Sequence, residues 1–285
     1  MTVLVTGATG NVGAAAVQEL RRRGAPVRAF VRRPMDLPGV ELAIGDFEDP
    51  ASIRAALAGV QRVLLSSGDG PRKVAHEAAV IEAAADVELV VKASTIGAAA
   101  GSALPGMDWN GRSEEHLRRS GIPAVMLRSG FYMTNLLAAA EPVRAQHVLP
   151  APAGDGAIAM IDPRDVGAVA AAVLTGDGHA GRTYELTGPD SVGYRDAAEL
   201  IGRATGAHVA YVDVPPAAAR DGLVASGMPD WLVEQLDGVF AKIRAGELAW
   251  TTDTVHTLIG RPPRGLADFL RDHAEAFAPV AESVV

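Results

Sequence analysis

A strand-like run, Val3-Leu4-Val5-Thr6, passes directly into Gly7-Ala8-Thr9-Gly10-Asn11-Val12-Gly13 and then into an alanine- and leucine-rich segment that reads as a helix over 12–23. No other stretch constrains the fold as tightly. Between a strand and a helix, this spacing gives Gly7 a tight turn, Gly10 the close approach of a phosphate, and Gly13 the packing of helix on strand. The backbone N–H groups of such a turn and the positive end of the helix dipole converge on an anion. The turn therefore predicts the pyrophosphate seat of a dinucleotide, with Thr9, Asn11 and Val12 beside it.

The first half of the chain repeats this rhythm of short aliphatic run, turn and longer helical stretch, the pattern of βαβ units. Strands are predicted over 2–6, 26–31, 40–44, 62–66, 89–93, 124–128 and 183–186. Helices are predicted over 12–23, 49–58, 74–85 and 113–120. Right-handed crossovers then give an α/β fold with a doubly wound parallel sheet, of Rossmann type, covered by helices on both faces. Past residue 130 the pattern loosens. A helix over 162–174 opens with Asp-Pro, and further helices over 194–205, 215–226 and 230–245 are expected to build a smaller, mainly helical C-terminal lobe. The expected division is a dinucleotide-binding core over 1–130, completed by roughly 155–188, and a substrate-binding lobe over 131–154 and 189–285.

Composition excludes several alternatives. The net charge of −8 gives no electrostatic footprint for nucleic acid or an anionic membrane. With no cysteine, a redox role must be carried by a bound cofactor. No apolar run reaches about 18 residues and residues 1–6 lack a leader pattern, so a cytoplasmic location without a membrane partner is expected. The seven histidines (76, 116, 147, 179, 208, 256 and 273) have no ligand spacing, and no metal is expected. A homodimer is an assembly the sequence allows.

The second strand ends at Phe30-Val31-Arg32-Arg33, where a NAD-specific chain commonly carries an acidic residue for the ribose hydroxyls. Guanidinium groups bind phosphate through paired donors, so Arg32 and Arg33 point to a 2′-phosphate and to NADP(H). The alternative is two solvated surface arginines. Asp46 and Phe47 follow the third strand, where they would flank adenine; Asp46 is otherwise an ordinary helix cap in a turn. Ser66, Ser67 and Gly68 end the fourth strand, where the central ribose or phosphates would pass, unless they form a plain turn. Lys92 sits inside Val90-Val91-Lys92-Ala93-Ser94 and is expected to point into a polar cleft, holding a ribose hydroxyl or substrate oxygen, or else to snorkel from an edge.

With Val31-Arg32, Gly45-Asp46, Leu64-Leu65-Ser66-Ser67, Val91-Lys92-Ala93-Ser94, Trp109-Asn110-Gly111 with Glu114, Leu127-Arg128-Ser129-Gly130-Phe131-Tyr132-Met133-Thr134-Asn135, Arg164-Asp165-Val166, Tyr184-Glu185-Leu186-Thr187-Gly188-Pro189 and Gly260-Arg261-Pro262-Pro263, the chain resembles the NmrA-like branch of the atypical short-chain dehydrogenase/reductases. That branch includes the type 2 NAD(P)H:quinone reductase-like proteins. The resemblance departs from ordinary short-chain dehydrogenases in one respect that matters for chemistry. No tyrosine here is followed four residues later by lysine, the pair that protonates a carbonyl oxygen. In the corresponding stretch Trp109 and Asn110 stand as substrate contacts, and Asn110 can orient but cannot exchange a proton near neutrality.

The resemblance thus implies an NADPH-dependent reductase passing hydride to a planar carbonyl-type small molecule such as a quinone, an enone or an aromatic polyketide. Tyr132, beside Asn135, is the candidate proton donor or stacking surface, with Lys92 as the second catalytic candidate; a half-buried structural tyrosine is the alternative for Tyr132. Glu114 is expected to tie its helix to neighbouring backbone, and Asp165 to pair with an arginine. The rival readings are a non-catalytic NADP(H)-sensing regulator and an epimerase or dehydratase with retained cofactor.

Overall fold

The computed structural model describes residues 1–278, so positions 279–285 of the expected lobe lie outside the described residues. The chain divides into two compact units. The first comprises Met1–Ser129, Pro163–Leu186 and Thr254–Arg261; the second comprises Gly130–Asp162, Thr187–Asp253 and the residues from Pro262 onward.

In the first unit, strands β1 (Val3–Val5), β2 (Val27–Val31), β3 (Glu41–Ile44), β4 (Arg62–Leu65), β5 (Leu89–Thr95) and β6 (Ala124–Ser129) join the strand Thr183–Leu186 in one seven-stranded sheet. Its order is β3-β2-β1-β4-β5-β6 followed by Thr183–Leu186, with every pairing parallel. The direction of winding reverses between β1 and β4. In open α/β sheets that reversal leaves a crevice at the carboxyl ends of the strands, where ligands bind.

Helices α1 (Asn11–Arg22), α2 (Pro50–Leu57), α3 (Lys73–Ala83) and α4 (Pro105–Arg119) connect these strands. Helix α1 packs closely on the helix Pro163–Thr175; a Cβ at Gly167 would lie 2.5 Å from the Ala15 side chain, so this approach requires glycine. A separate core of Leu4, Phe30, Ile53, Leu57, Val63, Leu65, Val80, Ile81, Val90, Leu117 and Met126 joins α2, α3 and α4 to the sheet. These strands are near-continuous aliphatic runs because both faces are covered.

Helix α4 begins at Pro105, eight residues before the predicted start at 113. Gly106 and Gly111 weaken its local helix signal, yet Gly111 is what lets it pack. A Cβ there would sit 2.2 Å from the Ala99 carbonyl carbon. Strand β5 runs two residues past the predicted end, bringing Ser94 and Thr95 into register with Arg128 and Ser129.

The second unit contains the 3-10 helix Met133–Ala139, the helices Ala140–Gln146, Tyr194–Thr205, Pro216–Ala225, Asp230–Arg244, Leu266–Asp272 and Ala274–Phe277, and two small two-stranded sheets. One sheet pairs Val148–Ala151 with Ala210–Asp213 in parallel; the other pairs Ala157–Ile158 with Val192–Gly193 antiparallel. None of these four strands is predicted from the sequence, since runs of two to four residues carry too little periodicity. Among the described residues no helix is long and apolar enough to cross a membrane, and no cluster of His, Cys, Asp and Glu could hold a metal ion.

Candidate cofactor site

The ends of β1 and β4 are clamped across the sheet's reversal. The Ser66 N–H donates to Thr6 Oγ1 at 2.8 Å, and that hydroxyl donates to the Ser66 carbonyl at 2.7 Å. Gly7 follows at φ +60°, where a Cβ would lie 2.8 Å from the Ser66 carbonyl oxygen. A Cβ at Gly13 would fall 2.1 Å from the Gly7 carbonyl oxygen. Both glycines are therefore demanded by the protein's own backbone. Gly10 is different. A Cβ there would meet only the Gly7 oxygen, at 3.3 Å, and Thr9, Gly10 and Asn11 are exposed. Gly10 caps α1 in an extended conformation with no side chain to offer. The structure thus leaves a bare, solvent-facing cradle at the N-terminus of a twelve-residue helix, which fits a pyrophosphate.

At the end of β2, Arg32 and Arg33 are exposed, and among the described residues neither makes an ion pair. Nearby Arg28, by contrast, bonds Glu41 at 2.9 Å. Two guanidiniums without carboxylate partners suit an anionic 2′-phosphate. Asp46 accepts from the Glu48 N–H at 2.9 Å and so braces its own turn, leaving its side chain exposed. Phe47 stacks on His76, with centroids 5.3 Å apart and rings 16° from parallel, and meets Phe30 edge-on at 5.5 Å. Glu48 bonds both His76 and Arg72, tying the start of α3 to this turn. Ser66 and Ser67 are half-buried and Gly68 is exposed, with open space where its Cβ would be.

Two predicted site residues, Ser67 and Lys92, converge on one that the sequence did not single out. Glu77, on α3, is fully buried. It accepts from the Ser67 hydroxyl at 2.8 Å and lies 2.8 Å from Lys92 Nζ and 3.2 Å from Lys73 Nζ. Lys92 Nζ also donates to Asn110 Oδ1 at 2.9 Å and to the Ala93 carbonyl at 3.0 Å. The Asn110 amide in turn donates to the Gly106 carbonyl at 2.8 Å. Burial alone would raise the Glu77 carboxyl pKa; the Lys92 and Lys73 ammoniums overcome that and hold it at about 2. The same burial pulls Lys92 below the ordinary lysine range against the opposing pull of Glu77.

Lys92 therefore does not open into a cleft as its sequence context suggests. It is fully buried, ion-paired with Glu77 and hydrogen-bonded to Asn110 and the Ala93 carbonyl. The periodicity of an alanine-rich helix could not reveal Glu77. The available signal was two lysines, at 73 and 92, in a chain whose only other lysine is Lys242.

Glu114 also differs from expectation, since it bonds side chains rather than backbone. Its carboxylate takes Arg128 in a two-point bond at 3.0 and 2.6 Å, the Ser94 hydroxyl at 2.6 Å and Arg118 at 2.8 Å. Burial would raise its pKa, but the bonds from Arg128 and Ser94 hold it below the usual carboxylate range. This clamp joins α4 to β5 and β6. Asp165 pairs with Arg261 at 2.7 Å, as expected.

Trp109 is half-buried on α4, next to Asn110. Tyr132 and Asn135 belong to the second unit. There Tyr132 bridges to Ile161 and precedes the 3-10 helix, its carbonyl accepting from the Asn135 N–H at 3.0 Å, and Asn135 is exposed.

Comparison with known proteins bears on this geometry. The profile of the NmrA-like family matches residues 1–258. A reductase of (4-alkanoyl-5-oxo-2,5-dihydrofuran-3-yl)methyl phosphate from Streptomyces griseus is 37% identical over 282 residues, covering 97% of this chain and 99% of the relative. An NAD(P)H azoreductase from Xenophilus azovorans is 34% identical over 282 residues, covering 96% and 99%. Among solved structures, an NADPH-dependent quinone oxidoreductase from Escherichia coli complexed with NADPH superposes with a TM-score of 0.85 at 31% identity, covering 95% of this chain and 99% of that one.

Proposed function

The chain belongs to the NmrA-like family and is an NADPH-dependent oxidoreductase, and from that premise we propose that its acceptor is a planar, conjugated small molecule such as a quinone, an enone or an aromatic polyketide. The observation that carries this reading is the commitment of Lys92. Fully buried, ion-paired with Glu77 and hydrogen-bonded to Asn110 and Ala93, it is no proton donor to a carbonyl oxygen. The Tyr-x-x-x-Lys pair is absent. An acceptor reduced here must take hydride without strong protonation of its oxygen, and conjugated acceptors do so when donor and acceptor carbons are held close. The relatives named for azo, quinone and butenolide-type substrates point the same way.

When bound, NADPH supplies the hydride. Gly7, Thr9, Gly10, Asn11, Val12 and Gly13 hold its pyrophosphate, Arg32 and Arg33 its 2′-phosphate, and Asp46 and Phe47 its adenine. Ser66, Ser67 and Gly68 line its ribose path. The Ser67 hydroxyl donates to Glu77, and its oxygen, which accepts from Lys73 Nζ at 3.4 Å, keeps a second lone pair fit for a ribose hydroxyl or a carboxamide N–H. Lys92 and Asn110 act beneath the site by fixing this polarity. Of the substrate-contact candidates, Trp109 lies in the unit that holds NADPH, while Tyr132 and Asn135 lie in the second unit.

Steady-state NADPH oxidation against quinones, conjugated enones, azo dyes and simple aliphatic ketones tests the assignment. Conjugated acceptors are expected to raise the rate at least tenfold over background, while aliphatic ketones leave it unchanged. Turnover of the ketones alone would overturn the proposal.

A further inference from the structure

The interior of the first unit holds an ionic cluster whose composition is unusual for this chain. Of 26 basic side chains only three are lysines, and two of them, Lys73 and Lys92, lie against Glu77. All three are at least nine-tenths buried. Arginine stays charged in nearly any environment, whereas lysine loses its proton when burial is uncompensated. Placing the chain's scarce lysines here makes their charge conditional on the carboxylate between them.

We propose that Glu77 is the positioning residue of the cofactor site, its carboxylate keeping Lys92 an ammonium and Ser67 a hydrogen-bond acceptor so that the β4–α3 loop meets NADPH with fixed polarity at every physiological pH. The bonds run in one direction. The Ser67 hydroxyl donates to Glu77 at 2.8 Å, Lys92 is ion-paired with Glu77 at 2.8 Å and donates to Asn110 at 2.9 Å, and the Asn110 amide donates to Gly106 at the start of α4.

The charged and polar groups facing Lys92 come from every neighbouring element. They are Glu77 and Lys73 on α3, and Asn110 and Glu114 on α4. Asp69 is bonded to Lys73 at 3.2 Å, and Glu114 is bonded to Arg128 and Arg118, so Glu77 is the one carboxylate bonded directly to Lys92. Without it, desolvation is opposed only at longer range, and Lys92 releases its proton within the accessible range. Once neutral, the amine has one proton fewer to donate. Asn110 and the Ser67 loop lose their common anchor.

This inference rests on the first unit binding NADPH, not on the identity of the acceptor. The test is the NADPH dissociation constant, read by cofactor fluorescence from pH 6 to pH 9, for the wild type and for Glu77→Gln. The wild type should vary less than threefold. Glu77→Gln should bind at least tenfold more weakly at pH 9 than at pH 6, as Lys92 neutralises. If Glu77→Gln fails to fold, Glu77→Gln/Lys73→Met restores the charge balance of the cluster while leaving Lys92 without its partner, and the same alkaline loss is expected. A folded variant that melts earlier but keeps the flat wild-type profile would reduce Glu77 to a purely structural role and overturn the inference. Wild type that binds NADPH but turns over no conjugated acceptor would overturn the acceptor assignment alone.

Discussion

Lys92→Met should destabilise the protein by about 3–5 kcal/mol, the usual cost of stranding one partner of a buried ion pair. The methionine fills much of the lysine's volume, so what remains is the fully buried Glu77 carboxylate with Lys73 as its one cationic partner beside the hydroxyl of Ser67. Adding Glu77→Gln on the same chain should recover most of the loss, because a neutral amide beside a methionine leaves no buried charge without a counterion. Denaturant unfolding of the wild type, both single variants and the double variant gives this coupling directly.

The pH dependence has a defined sign. Glu77 titrates at about 2 in the folded protein, below its ordinary value of 4.5. Its stabilisation is therefore complete above about pH 4.5 and is lost as pH falls toward 2. The penalty of Lys92→Met should shrink over that same interval. A penalty of less than about 1 kcal/mol at neutral pH would mean that the cluster is far more hydrated than its burial implies.

The second large effect concerns the choice of cofactor. Arg32→Ala/Arg33→Ala should weaken NADPH binding by about 10²-fold or more, since two charge-assisted contacts to a phosphate are removed at about 1.5–3 kcal/mol each. NADH, which lacks that phosphate, should change less than about threefold. The fold itself should be undisturbed, because both side chains are exposed and make no ion pair among the described residues. Equal losses for the two cofactors, measured by titration, would show that the arginines are solvated surface groups.

What was legible in the sequence follows from where the constraints are local. The strand-turn-helix at residues 3–13 is specified by nearest neighbours, and its glycine positions match the close backbone approaches of Gly7 and Gly13. Arg32 and Arg33 are placed by the end of a strand, which is also a local signal. Glu77 is not legible in this way. Its meaning depends on Lys92 and Asn110, 15 and 33 residues further along the chain, being brought to α3 by β5 and α4.

The start of α4 is hidden in the sequence for the opposite reason. Gly106 and Gly111 speak against a helix locally, and only packing against Ala99 and Ala100 makes Gly111 an advantage. The four short strands of the second unit were also invisible. Each depends on pairing with a partner dozens of residues away rather than on its own periodicity, as Val148–Ala151 does with Ala210–Asp213.

The central claim is that this chain transfers hydride from NADPH held in one fixed orientation. Single-turnover reaction with a conjugated acceptor tests it, using NADPH deuterated at one C4 face or at the other, with the NADP⁺ product analysed by mass. Enzymatic transfer predicts that one isomer loses its deuterium completely and the other retains it. Mixed labelling from both isomers, or NADPH consumption no faster than without protein, would contradict the account.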